Sequence, residues 1–385
     1  MPWKETSAMD ERVRLIGDYL GGQWSVTELG RAYGISRRTI YKWIERYEVD
    51  GVEGLKERSR APLSHPNATG AEIVEMIVRE KLAHQRWGPK KVVARLETLF
   101  PDRAWPAVST ASEILRRHGL VKPRHLRRCT PGYTEPFLGC ATPNAVWSAD
   151  FKGHFRTGDS RMCYPLTLSD NSSRYLLACR GLRRPTTEAC RPWFEWTFRQ
   201  YGMPQAIRTD NGSPFASVAL GGLSQLAVWF IKLGIRPERI ETGHPEQNGR
   251  HERMHLTLKQ ETAMPPMQDL RKQQQAFDRF SQEYNHCRPH EALGQKPPAA
   301  FYEPSAIEYP DRIPDVEYDS SFTVRQVRHN GEIKWKGHMV YVSQALAGEP
   351  VGLTEVGEDL WQVNFSFHYL GVLDERTGRI TSHKG

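Results

Sequence analysis

Three carboxylates stand out by the company they keep. Asp150 lies in VWSADFKGHF, inside an otherwise apolar run that reads as a strand, where a charge needs a reason. Asp210 lies in IRTDNGSPFAS at the end of another run, and the Asn-Gly after it favours a tight turn that lets backbone approach a ligand. Glu252 comes early in a helix entered through His244, Pro245 and Asn248-Gly249. A strand, a strand end and a helix start can meet at one edge of a sheet. Clustered carboxylates repel unless they hold a cation, and hard oxygen donors with open positions suit Mg2+ or Mn2+. Two such ions about 4 Å apart clamp the attacking and leaving oxygens of an in-line phosphoryl transfer. Singly, each residue has a plainer reading: Asp210 as a turn former, Glu252 as a solvated helix residue. Asp159 and Asp170 compete for the role of Asp150, although Asp170 precedes the turn sequence Asn-Ser-Ser-Arg. His251/His255 and His286/His290 stand four apart, but no cysteine or further histidine pair completes a zinc set.

The elements that must position these groups follow from periodicity. Residues 147–155, 163–169 and 174–179 read as three short strands, 186–201 as an amphipathic helix and 205–209 as a strand. Residues 223–233 read as a helix, 239–241 as a short strand, 246–262 as a helix and 267–284 as a trailing helix. The order β-β-β-α-β-α-β-α is that of a ribonuclease-H-like α/β core, here spanning 146–310. Upstream, residues 10–20, 25–33 and 37–47 read as three helices, with Ser25 or Thr27 as the cap of the second, Ser36 as the cap of the third and Gly34 in the turn between them. That is a helix-turn-helix pattern over residues 1–50. Arg37, Arg38, Thr39 and Lys42 fall in the first turns of the third helix, where a recognition helix meets base edges and phosphates; a solvated basic helix is the plainer alternative. Residues 51–68 form a Gly- and Pro-rich linker whose Lys56, Arg58 and Arg60 are placed to reach phosphates. Residues 69–128 repeat the helical pattern as a second helix-turn-helix, with Lys90 and Lys91 as phosphate contacts or as plain surface. Residues 129–145 are a connector. Residues 318–385 read as several short strands, a small SH3-like β-barrel. The fold class is multidomain α+β.

Charge is uneven along the 385 residues. Residues 1–130 hold 24 Lys/Arg against 16 Asp/Glu, and the remainder 29 against 29, so the entire net charge of +8 sits in the first third. A basic arm on a neutral body fits a polyanion partner. With 38% hydrophobic residues, 14 Phe, 14 Tyr and 11 Trp, the chain has enough apolar material to exclude global disorder. The N-terminus lacks the apolar stretch of a signal peptide, and no run is long enough to span a bilayer. Six cysteines without framework spacing suit free thiols in a reducing cytosol.

The combination WSADFKG, TDNGSPF and HPEQNGRHER, followed by YNHCRPHEALGQKPP, resembles the bacterial insertion-sequence transposases that share the retroviral integrase core. The likeness covers nearly the whole chain. It implies that Asp150, Asp210 and Glu252 are the metal-binding DDE triad, served by two Mg2+ or Mn2+ ions. It implies that Asn248 and Gly249 shape the loop before the third ligand. It also implies that Lys259, seven residues after Glu252 and so on the same helix face, contacts DNA. Forty-one residues separate Asp210 from Glu252, a longer spacing than is usual, with the excess falling around residues 216–226. Arg288 and His290 either contact DNA or fix their loop. The implied reaction is DNA 3′-end cleavage at terminal inverted repeats, then strand transfer into target DNA. It is carried out by at least a dimer on double-stranded DNA, in the bacterial cytoplasm at the nucleoid. A non-catalytic DNA-binding regulator is the alternative; a nuclease for RNA–DNA hybrid sits poorly with a sequence-reading arm.

Overall fold

The computed structural model describes residues 7–59, 68–121, 140–210, 212, 214–215, 222–239 and 249–381. It divides into two compact units, Met1–Thr69 and Gly70–Gly385. Arg60 and Asn248 lie outside the described residues.

The first unit is three helices, α1 (Ala8–Leu20), α2 (Val26–Tyr33) and α3 (Arg37–Asp50). Each begins where the sequence supplies a serine oxygen for an orphan backbone N–H. Ser7 with Asp10 and Ser25 with Glu28 form reciprocal capping boxes, and Ser36 caps α3 alone. Gly34 ends α2 at φ 64°, left-handed backbone that glycine adopts without a steric penalty. Leu15, Ile16, Leu29, Ile40, Trp43, Ile44 and Leu55 close the core. Arg12 stacks over Trp43 at 4.0 Å and donates to the Leu55 carbonyl at 2.9 Å, holding the turn after α3 against α1.

The second unit opens with α4 (Ala71–Ala83), α5 (Pro89–Leu99) and α6 (Val108–Arg117), closed over Ile77, Trp87, Val92 and Leu115. Pro89 begins α5, where its missing N–H costs no hydrogen bond. The central sheet follows: β1 (Val146–Phe151), β2 (Phe155–Arg156), β3 (Met162–Asp170), β4 (Leu176–Leu182), β5 (Ala206–Thr209) and β6 (Arg236–Arg239). β1 pairs antiparallel with β3 and parallel with β5; β4 and β2 join β3, and β6 joins β5 in parallel. The β6 strand begins three residues before its expected place, and its Pro237 sits on an edge where no ladder donor is needed. Helices α7 (Thr187–Tyr201) and α8 (Gln225–Lys232) pack Phe194, Phe198, Trp229 and Phe230 with Trp147 and Ile207 of the sheet. Helices α9 (Gly249–Thr262) and α10 (Leu270–His286) cover Cys163 and Cys179 with Met254, Leu258, Phe277 and Phe280.

The C-terminal strands are β7 (Thr323–Gln326), β8 (Glu332–Trp335), β9 (His338–Tyr341), β10 (Pro350–Gly357), β11 (Leu360–Phe365), β12 (His368–Asp374) and β13 (Arg379–Thr381). The expected SH3-like barrel is instead an open antiparallel sheet, ordered β13-β12-β11-β10-β7, beside a β8–β9 hairpin; among the described residues no pairing closes it. The reason lies in what fills its apolar side. Ile333, Trp335 and Val340 of the β8–β9 hairpin share one buried cluster with Val327, Leu353, Phe365 and Leu373 of the sheet and with Leu223, Ala227, Val228 and Ile231 at α8. Lys232 pairs with Glu349 at 2.7 Å at the same seam. A face already filled by a hairpin and a helix need not curl onto itself.

Candidate functional site

Register brings two of the three carboxylates together. Ala149 and Thr209 are the last paired residues of the parallel β1–β5 ladder, so Asp150 and Asp210 are the next residues on adjacent strands, about 4.8 Å apart in backbone spacing. Asp210 then turns the chain: its Oδ1 accepts the Gly212 N–H at 3.1 Å, and a Cβ on Gly212 would lie 3.1 Å from Oδ2. The Asn-Gly signal therefore has a packing reason. Glu252 is exposed in the first turn of α9.

What holds α9 at that edge is a stripe at i, i+3, i+4 and i+7: His251, Met254, His255 and Leu258, all buried. Thr167, fully buried on β3 and register partner of Asp150, lies within hydrogen-bond distance of His251 Nε2 at 2.7 Å and His255 Nε2 at 2.6 Å. Its hydroxyl is also 3.1 Å from the Asp150 carbonyl. Ser169 Oγ meets His251 Nδ1 at 3.0 Å, and His255 Nδ1 faces Asp150 Oδ2 at 3.7 Å. Burial, with Lys152 nearby, pushes His251 down to about 3. Burial, then His251 and Lys152, hold His255 well below the usual histidine value. Both rings are neutral at ordinary pH. Among the described residues, the group of three with ligand atoms within 4.8 Å of one another is Asp150, His251 and His255; Asp210 and Glu252 are not in it. Residue type alone excludes the His251/His255 pair from a zinc set and gives it no other place. The apolar spacing around it was the signal that these rings face inward.

The competing aspartates have structural work. Asp170 is buried and accepts the Asn144 N–H at 2.8 Å and the Ser173 N–H and hydroxyl at 2.7 and 2.6 Å; burial pushes its carboxyl up despite those bonds. Asp159 takes the Thr157 hydroxyl in a surface turn.

The cations divide sharply. Arg37, Arg38 and Lys42 are exposed along α3; Thr39 is half-buried, its hydroxyl 2.9 Å from that of Ser36. Arg58 pairs with Asp50 at 2.7 Å, and Lys56 with Glu53. Lys90 pairs with Glu291 at 2.6 Å. Lys91 is half-buried and held down to about 8 by burial, with Arg288 adding repulsion. Arg288 is itself buried and pairs with Glu261 at 2.7 Å, so of its two open roles the structure shows the loop-fixing one. His290 is pushed down to about 3 by burial, with Lys91 and Arg288 nearby. Lys259 is exposed on α9, lining a cavity with Lys152 and His154.

Comparison with known proteins adds the following. The Integrase core domain family matches residues 141–245, and a second Integrase core domain family matches 233–298. A Helix-turn-helix domain matches 11–62 and a Homeodomain-like domain 39–115. The C-terminal domain of IS481 family transposases matches 322–381. An uncharacterized 39.2 kDa protein of insertion element IS476 from Xanthomonas euvesicatoria is 26% identical over 253 residues, 63% of this chain and 67% of that protein. Among solved structures, a chain of the simian T-cell lymphotropic virus intasome in complex with PP2A regulatory subunit B56 gamma is 18% identical, covering 76% of this chain and 97% of its own, at a TM-score of 0.37. The HTLV-2 integrase catalytic core domain in complex with magnesium is also 18% identical, covering 42% and 98%, at a TM-score of 0.33.

Proposed function

This chain belongs with the insertion-sequence transposases built on an integrase-type core, and on that premise we propose that it binds transposon terminal inverted repeats, cleaves DNA 3′ ends and joins them to target DNA. What supports the reading is that Asp150 and Asp210 are the next residues past the last paired rung of adjacent strands, and that His251 and His255 bring α9, which bears Glu252 in its first turn, against Thr167 opposite Asp150. The donor set fits a hard divalent cation. Thr167 and Ser169 engage the ring nitrogens of His251, and His255 Nε2 is turned to Thr167, so the hard donors this edge offers are carboxylate oxygens. Asp150, Asp210 and Glu252 would hold Mg2+ or Mn2+, two ions in the fullest arrangement. When bound, such ions supply charge neutralisation for the attacking and leaving oxygens of phosphoryl transfer.

The chain's own residues do the rest. Arg37, Arg38, Thr39 and Lys42 on α3 read and grip the end sequence, residues 1–50 being the reading unit. Lys259 and Lys152, on either side of the α9–β1 edge, guide the scissile phosphate toward the carboxylates. Gly212 keeps the turn beside Asp210 narrow enough for DNA backbone to approach. Residues 146–310 form the catalytic core. No protein side chain is joined to DNA, since water and then a DNA 3′-hydroxyl serve as nucleophiles. Joining two ends requires at least a dimer on DNA.

The test is strand transfer in vitro with the element's own end sequence and Mg2+ or Mn2+. Asp150→Asn, Asp210→Asn and Glu252→Gln are each expected to lower the joining rate by about a thousandfold or more, the scale of losing a principal electrostatic contributor, with end binding retained. Joining at the wild-type rate in any of the three would sink the triad assignment. Wild type that binds ends and never cuts would favour a regulator.

A further inference from the structure

The outward line of α3 carries an acid among its cations. Successive residues of a helix are turned by about 100°, so residues seven apart stand almost in line. Ile40, Trp43 and Ile44 are buried and Tyr47 half-buried. The line opposite them runs through Arg38 and Glu45, with Tyr41 on one side and Lys42 on the other, and all four are exposed. Whatever lies along α3 therefore meets Glu45 together with Arg38. Other acids of this unit are occupied. Glu11, Asp50 and Glu53 pair with basic side chains, and Asp18 takes the Tyr33 hydroxyl at 2.6 Å. Among the described residues, Arg38 and Glu45 make no ion pair. Lys42, within i,i+3 reach of Glu45, lies over the ring of Trp43 at 5.1 Å instead.

A free carboxylate laid against DNA is repelled by the phosphates. In the major groove it is favoured where a base presents an amine without a neighbouring acceptor. Cytosine offers N4 in that way, whereas the N6 amine of adenine stands beside the N7 acceptor. Arginine donates to O6 and N7 of guanine. Seven helical residues span about 10 Å, or about three base-pair steps of 3.4 Å. We propose that Glu45 is a specificity-determining residue of α3, selecting a cytosine about three base pairs from a guanine read by Arg38. The assignment rests on α3 lying in the major groove of the end sequence. Glu45 adds nothing to general affinity; it works by repelling the chain from every wrong sequence as much as by pairing with the right one.

Two measurements on the full chain test it, and neither needs metal or cleavage. The first is selection from a pool of random duplexes. Glu45→Gln keeps the shape and trades the carboxylate for an amide, which suits N6 and N7 of adenine. It should select adenine in place of cytosine at one position and leave the rest of the wild-type sequence unchanged. The second compares affinity for the duplex that wild type selects with affinity for a random-sequence duplex. Glu45→Ala should bind the first more weakly and the second more tightly, lowering their ratio by about tenfold. Glu48→Ala removes an acid displaced from that line, and should shift both affinities alike with the selected sequence unchanged. If Glu45→Gln returns the wild-type sequence, or Glu45→Ala keeps the wild-type ratio, Glu45 is not a reader, while end binding by α3 stands. If wild type selects no sequence at all, end recognition by α3 fails and takes this assignment with it.

Discussion

The two helical units at the start of the chain look alike as sequence and differ in what their cations do. In α3 of the first unit, Arg37, Arg38 and Lys42 line an exposed face. In the second, Lys81 is buried and donates to the Gln85 and Trp87 carbonyls, Lys90 is paired with Glu291, and Lys91 is half-buried beside Arg288. Arg116 and Arg117 share Glu113. A count of basic residues over the first third gives both units the same footprint. The structure leaves the α3 cations exposed, whereas in the second unit Lys81 and Lys91 are withdrawn from solvent and the exposed Lys90, Arg116 and Arg117 are each paired with a carboxylate. Net charge predicts a polyanion partner, but only the partners of each cation say where that polyanion can lie.

That contrast can be broken in several ways. The largest effects come from the cores. Leu29→Ala and Leu115→Ala remove fully buried side chains, and each should cost about 2–5 kcal/mol in its own unit. Chemical denaturation followed by unit-specific probes should show Leu29→Ala shifting one transition and Leu115→Ala another. A single transition moved by both variants would mean the two units unfold together.

Next come the proposed DNA contacts. Arg37→Ala with Arg38→Ala should weaken end binding by about 10- to 100-fold and lower the slope of log affinity against log salt by about one to two. Lys90→Ala with Lys91→Ala should leave that slope close to wild type. Equal slopes lost in both variants would erase the distinction between the units.

The smallest effect concerns Lys91. Burial lowers its value in the folded chain to about 8. Between there and the ordinary lysine value the unfolded chain binds more protons, so stability rises with pH across that window. The favourable contribution is complete above the ordinary value and lost as pH falls through about 8. Lys91→Met should therefore stabilise the protein at pH 7 by about 1 kcal/mol after allowance for solvent screening. The advantage should shrink as pH rises toward 10.5 in urea titrations. A gap that stays constant with pH would show Lys91 to be an ordinary solvated lysine.

Much of the architecture was legible because local chemistry determines it. Ser25, Ser36 and Gly34 bounded the helices of the first unit, and Pro89 opened α5, since capping and φ preferences act within a few residues. The apolar alternation of the core strands placed Asp150 in β1 and Asp210 just past β5. The closed barrel was not legible, because whether a sheet curls depends on what lies across it, and α8 is about a hundred residues away in sequence. The β2 and β13 strands, of two and three residues, are too short to carry a periodic signal. At the site, the carboxylates announced themselves by type and setting. His251 and His255 did not, since a histidine on a helix reads the same whether it faces solvent or a buried threonine.

The sequence by itself singled out residues chemically suited to the proposed work: three acidic side chains of a type and setting that suit a hard cation, and a third helix whose first turns are basic. Those are properties of residue type and near neighbours. The tertiary structure decided which of them meet. Parallel pairing of β1 with β5 aligned Asp150 with Asp210, the Thr167 hydroxyl joined α9 to the sheet, and Glu291 after α10 paired with Lys90 of the second helical unit. Hydrogen bonds and ion pairs act over a few ångströms of space, and only the folded chain sets which distant residues come within that reach.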